Sequence, residues 1–159
     1  MPTLTTSVLT INVPIKRLPH APEGLPEYAT PLSAGMDLRA AIAEPIKLEP
    51  MQRALIPTGL ILMLPEGYEA QVRPRSGLSI KHGITLINAV GTIDADYRHE
   101  LMVPLVNLST SVYLITPAER IAQLLVAPVT RVNWELLSDE ASVAILEGRS
   151  GGFGSTGSI

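Results

Sequence analysis

The 159-residue sequence predicts one all-β domain of the sandwich or barrel type. Its 14 prolines and 12 glycines recur so often that long helices find no room, because proline breaks helix interiors and central strands alike. The pieces between these breakers are strand-sized, and several alternate apolar with polar residues, the pattern of half-buried strands. Only residues 77–82 read as helix, a turn or two that packing alone would hold.

In chain order, Leu9, Ile11 and Val13 alternate with Thr10 and Asn12 as a first strand. Pro19, Pro22, Pro26 and Pro31 mark a surface loop, and residues 34–40 set charges between apolar residues as an edge or surface strand does. Residues 46–48 look similar, and Tyr68, Ala70 and Val72 alternate with Glu69, Gln71 and Arg73. The runs 54–56, 60–64, 101–106, 112–115 and 121–126 are apolar throughout and read as strands buried on both faces. A small sandwich normally leaves one face of each sheet wet, so 101–106 and 121–129 are expected to cover their outer faces with copies of the chain. Residues 138–148 read as a linker, giving a domain over 1–147 and a C-terminal arm over 148–159.

Hydrophobic residues make up 46% of the chain and aromatics 4%, so the core must be aliphatic. The absence of cysteine excludes disulfides and thiolate metal sites and fits a reducing compartment, here the cytoplasm. Neither a secretion leader nor the ~20 apolar residues of a membrane helix is seen. A net charge of -3 argues against broad electrostatic binding to nucleic acid, so any grip on phosphate must be local.

Arg73-Pro74-Arg75-Ser76-Gly77-Leu78 joins a planar cation, a hydroxyl and a glycine just before the helix. That combination suits a phosphate site and an ordinary exposed turn equally well. Gly91-Thr92-Ile93-Asp94-Ala95-Asp96-Tyr97-Arg98 reads as a β-hairpin with two carboxylates near its tip. One could act as general base, although aspartate is favoured in turns for its own sake. Gly151-Gly152-Phe153-Gly154-Ser155-Thr156-Gly157 has the composition of a flexible end, yet it carries the only phenylalanine, which suits a mobile arm stacking on a base. Gln123 faces away from Leu124 and reads first as a buried, hydrogen-bonded amide, behind a solvated Glu119-Arg120 pair. His20, His82 and His99 lack metal-ligand spacing.

Taken together, AGMDLRA, RPRSGLSIKHGI, NAVGTIDADYRHELM, ERIAQLLV and GGFGSTG resemble, in order and spacing, the five motifs of the trimeric dUTP pyrophosphatase (dUTPase) family. The resemblance spans residues 34–157. It implies a β-barrel-like jelly roll, assembled as a homotrimer whose active sites are shared between subunits and closed by the C-terminal arm. The implied reaction converts dUTP to dUMP and pyrophosphate, with Mg²⁺ carried by the triphosphate, which keeps uracil out of DNA and supplies dUMP for thymidylate synthesis. Asp94 matches the carboxylate that activates the attacking water, and Tyr97 the ring that packs under the deoxyribose and excludes a 2′-hydroxyl. Arg75, Ser76 and Gly77 match the phosphate-contacting segment, and Gln123 a polar residue near the phosphates. Asn88, Thr92, Ile93 and Met102 fall on the hairpin that reads uracil, and Phe153 matches the stacking ring of the arm. Asp37 and Arg39 match supporting positions near the metal and phosphates. Arg149 stands one position closer to Phe153 than the family pattern has it. A dCTP deaminase of the same fold and a nucleotide-binding sensor without turnover are the alternatives; Asp94 with Tyr97 favours pyrophosphate release over the first, and Asp94, Arg75 and Phe153 together over the second.

Overall fold

The computed structural model describes residues 9–138 and divides the chain into two compact units, Met1–Val129 and Thr130–Ile159. Among the described residues of the first unit there are eleven strands and one helix: β1 (Ile15–Arg17), β2 (Met36–Arg39), β3 (Ile46–Leu48), β4 (Arg53–Pro57), β5 (Leu60–Leu62), β6 (Tyr68–Arg73), α1 (Ser76–His82), β7 (Ile84–Leu86), β8 (Gly91–Ile93), β9 (Met102–Asn107), β10 (Tyr113–Ile115) and β11 (Arg120–Pro128). In the second unit, residues 130–138 carry no helix or strand and are exposed.

All the sheet pairings are antiparallel, and they form a four-stranded sheet in the order β2-β11-β6-β8, a three-stranded sheet β4-β9-β7, and the two-stranded ladders β1-β5 and β10-β3. No sheet closes on itself, so the all-β prediction holds in its open form. Fully buried Leu38, Leu48, Ile56, Ile84, Leu101, Leu105, Ile115 and Ile121 pack between these sheets. Each such side chain contributes roughly 1.5–3 kcal/mol by leaving water, and they are aliphatic as the composition requires. Buried Asn107 is satisfied by Leu48 O, Ser111 O and the Ser109 amide and hydroxyl, fixing the turn after β9.

Two strand expectations are corrected. Residues 9–13 form no strand; they pair with no described strand, and the first ladder begins at Ile15. Their alternation has a local cause, since Ile11 and Val13 turn half-buried toward an open apolar groove while Leu9 stays 74% exposed. Three of the apolar runs, 54–56, 60–64 and 112–115, are also not buried on both faces within one chain, because Leu55, Met63, Val112 and Leu114 lie 41–60% exposed, whereas 101–106 and 121–126 contain no exposed residue. An antiparallel sheet with one face on the core leaves the other face open.

The helix stands where glycine and serine allow it. α1 begins after extended Arg75 and ends at Gly83, whose φ of 67° is the left-handed conformation that glycine adopts without strain. Its single buried residue, Leu78, ties the short helix to the core. The expected hairpin is present in a long form: β7 pairs with β9, and between them β8 steps across to pair with β6.

Candidate active site

The four-stranded sheet, with the segments that run into and out of its strands, positions most of the described site residues, and its register sorts them into two groups. On one side, β11 lies between β2 and β6, setting Gln123 opposite both Asp37 and Arg73. Directly opposed residues share a face of a sheet, so these three project together. With Ser33, Ala34 and Gly35 they line a cavity of about 310 Å³. Gln123 is thus half-buried at a cavity wall, not enclosed in the core, and its amide bonds to no described residue.

Asp37 is the electrostatic centre of this group. Arg75 donates through Nε to one carboxylate oxygen at 3.0 Å, Arg120 donates to the other at 3.3 Å, and Arg75 also donates to Arg120 O at 3.0 Å. About a quarter of each of the Asp37 and Arg75 side chains is exposed, so the pair is partly desolvated and stronger than a surface ion pair. Arg75 is thereby held at the head of α1 beside Ser76 and Gly77, which are exposed and available to a ligand. Arg39 turns instead to Ala118 O at 3.0 Å.

The Glu119-Arg120 pair was expected to be solvated, yet both are engaged. Arg120 is bonded to Asp37, and the Glu119 carboxylate accepts from the Tyr113 hydroxyl and from Thr116 N and Oγ1. Burial, followed by the Glu119 hydrogen bond and charge, pushes the Tyr113 phenol well above its ordinary range, against a weaker opposing effect from Arg75. The Tyr113 ring also meets His82 at the end of α1, with centroids 5.1 Å apart, so the helix of the phosphate-like turn is braced at its far end.

The second group follows β8, the opposite edge of the sheet. Gly91 is buried where a methyl group would lie 3.2 Å from the Asn88 amide nitrogen and 3.5 Å from Val72 Cβ, so a small residue lets Asn88 fold over the strand. Thr92 is exposed and Ile93 half-buried against the core. Asp94 then opens a turn closed by Tyr97 N donating to Asp94 O at 3.1 Å, and Arg98 caps it by donating to Ala95 O and Tyr97 O. The Asp94 carboxylate is exposed and bonds to no described residue. Tyr97 donates its hydroxyl to Glu100 O at 3.0 Å, and Met102 begins β9 half-buried.

Within one chain these groups lie far apart. Ile93 sits opposite Ala70, so Asp94 runs one step toward the start of β6 while Arg75 lies five residues the other way. At about 3.3 Å of rise per residue, the two backbones are roughly 20 Å apart.

The dUTPase family profile matches residues 22–157. This chain belongs to the dUTPase family. Among dUTPase relatives, the deoxyuridine 5'-triphosphate nucleotidohydrolase of Aquifex aeolicus is 64% identical over 120 residues, covering 75% of this chain and 80% of that protein. The enzyme of the same name from a Wolbachia of Brugia malayi is 51% identical over 152 residues, covering 92% and 94%. Among solved structures, a point variant of the Staphylococcus bacteriophage 80alpha dUTPase with dUpNHpp superposes with a TM-score of 0.78 at 27% identity, covering 93% of this chain and 100% of that one. The dUTPase motif residues Arg149 and Phe153 lie outside the described residues. The motif reading quoted Arg73 and Arg120 without giving either a role: Arg73 lines the cavity opposite Gln123, and Arg120 reaches Asp37 only through the long-range register of β11 on β2.

Proposed function

We propose that this chain hydrolyses dUTP to dUMP and pyrophosphate in active sites assembled from more than one copy of itself, as a homotrimer. Family membership and relatives named as deoxyuridine 5'-triphosphate nucleotidohydrolases support the reaction. The observation that carries the assembly is the separation of Asp94 from Arg75. A base that deprotonates water must lie within hydrogen-bond reach of it, and the residues gripping the same phosphate must lie close by. A backbone separation of roughly 20 Å disfavours a site built within one chain and favours one in which Asp94 of one copy meets Arg75, Ser76 and Gly77 of another. The arm, residues 148–159, then closes the site with Phe153 and Arg149.

In this reading the base is met first by β8. As an edge strand among the described residues it keeps an outer row of main-chain N–H and C=O groups without a described strand partner, which suits the pairing edge of a pyrimidine. Uracil presents the complementary donors and acceptors and cytosine does not, and a buried mismatch is costly. Asn88, Thr92, Ile93 and Met102 shape that slot, and the Tyr97 ring packs under the sugar where a 2′-hydroxyl would collide.

Asp94 accepts a proton from water as the new O–P bond forms at the α-phosphorus. The bond from that phosphorus to the bridging oxygen breaks, and pyrophosphate leaves. Arg75, Ser76 and Gln123 hold the phosphate oxygens, Arg75 being preset by Asp37 and Arg120. Mg²⁺ bound to the triphosphate supplies neutralisation of its charge. In this reading the ion would be carried by the triphosphate, with Asp37, whose two oxygens already accept from arginines, nearby. A cysteine-free chain suits the cytoplasm.

The test is pyrophosphate release from dUTP, dCTP, dTTP and UTP in parallel, with Mg²⁺ and with chelator. Release from dUTP alone, lost on chelation, is the expected result. Binding of dUTP without release from any of the four would make the chain a sensor.

A further inference from the structure

Tyr97 is held from two directions by contacts that the reaction itself does not use. Its hydroxyl donates to Glu100 O at 3.0 Å, which folds the ring back over its own turn. The His99 ring meets it edge-on, with centroids 5.7 Å apart and planes inclined at 68°, a preferred aromatic geometry. The remaining 37% exposure of Tyr97 is the surface left for a ligand.

The carbonyl that receives the hydroxyl is itself anchored. Glu100 Oε1 accepts from Gly59 N at 2.7 Å and bonds to His20 Nε2 at 2.8 Å, and the next residue, buried Leu101, exchanges hydrogen bonds with Leu60 and Thr58. Gly59 has a φ of 71°, and a methyl group there would lie 2.4 Å from Ala21 Cα, so the three loops meet without slack. Tyr97 is therefore held at its backbone by the turn and at its hydroxyl, and the freedom left to the ring is rotation about the axis between them. His99 is the group that limits the turning, and it is exposed, so its contact with Tyr97 is not a demand of the core.

We infer that His99 is a positioning residue for sugar selection, setting the tilt of the Tyr97 ring against which deoxyribose and ribose are distinguished. The inference rests on the reading of Tyr97 as the surface under the sugar. Without His99 the ring samples tilts that admit a 2′-hydroxyl, so rejection of UTP weakens while the hydrolytic groups stay in place.

The experiment measures kcat and KM for dUTP and UTP with the full-length chain and with His99→Ala, His99→Phe and Tyr97→Ala. In His99→Ala the ratio of kcat/KM for dUTP over UTP is expected to fall roughly threefold to tenfold, the scale of one aromatic pair, chiefly through a lower KM for UTP. His99→Phe, which keeps a ring edge, should restore the ratio, a rescue that a role in folding alone would not give. An unchanged ratio in His99→Ala beside a collapsed one in Tyr97→Ala would overturn the role of His99 and leave the sugar surface standing. An unchanged ratio in Tyr97→Ala would overturn both.

Discussion

Asp37 and Asp94 stand at the two edges of the same sheet, and the fold treats them in opposite ways. Asp37, on β2, has both carboxylate oxygens bonded by Arg75 and Arg120. Asp94, just beyond β8, is exposed and bonded to no described residue. A carboxylate whose two oxygens are engaged by guanidinium groups is tied to those cations. An open one can take a proton from water. The contrast underlies the proposed division of roles, in which one aspartate would aim a cation at phosphate and the other would act on water.

The largest effect should come from the open carboxylate. Asp94→Asn keeps shape and removes the base, so kcat is expected to drop by about 10²–10⁴, the usual range for a general base, with dUTP binding retained in a calorimetric titration. Binding and turnover lost together would mean that Asp94 holds the turn and not the water.

At the other edge the expected loss is smaller and different in kind. Arg75→Ala removes a charge-assisted contact to phosphate, and about 1.5–3 kcal/mol corresponds to roughly a 10- to 100-fold lower kcat/KM, carried mostly by KM. Steady-state kinetics with dUTP checks this. A pure kcat effect would place Arg75 on the transition state alone.

The smallest effect lies behind α1. Tyr113→Phe should cost about 1 kcal/mol at neutral pH by losing the Glu119 hydrogen bond, read by denaturant titration. The folded phenol keeps its proton to higher pH than the unfolded one. The parent's advantage is therefore fully present below pH of about 10, where an unfolded tyrosine begins to ionise, and declines as pH rises above that. A gap between parent and variant that widens in alkali would contradict this linkage.

Much of this comparison was legible in the chain itself. The alternation of Tyr68, Ala70 and Val72 with polar residues marked β6, and residues 77–82 read as helix within one residue of α1, because such signals are local. The dUTPase motifs named Asp94 and Arg75 in the same way, by neighbouring residues. What escaped was long-range. Nothing near Gly91 announces that β8 pairs with β6 inside the β7–β9 hairpin, and nothing near Glu119 or Arg120 announces Tyr113 or Asp37 as partners. Residues 9–13 misled for the converse reason: they carry a strand's alternation without a described strand beside them.

The most direct measurement is turnover, at dUTP well below KM, in a mixture of two impaired chains, Asp94→Asn and Arg75→Ala, dissociated and reassembled together. If active sites draw Asp94 from one copy and Arg75 from another, some mixed assemblies hold an intact pair, and dUTP hydrolysis should rise well above that of either variant alone. A mixture no more active than its separate components would contradict the shared site and require both residues to act within one chain.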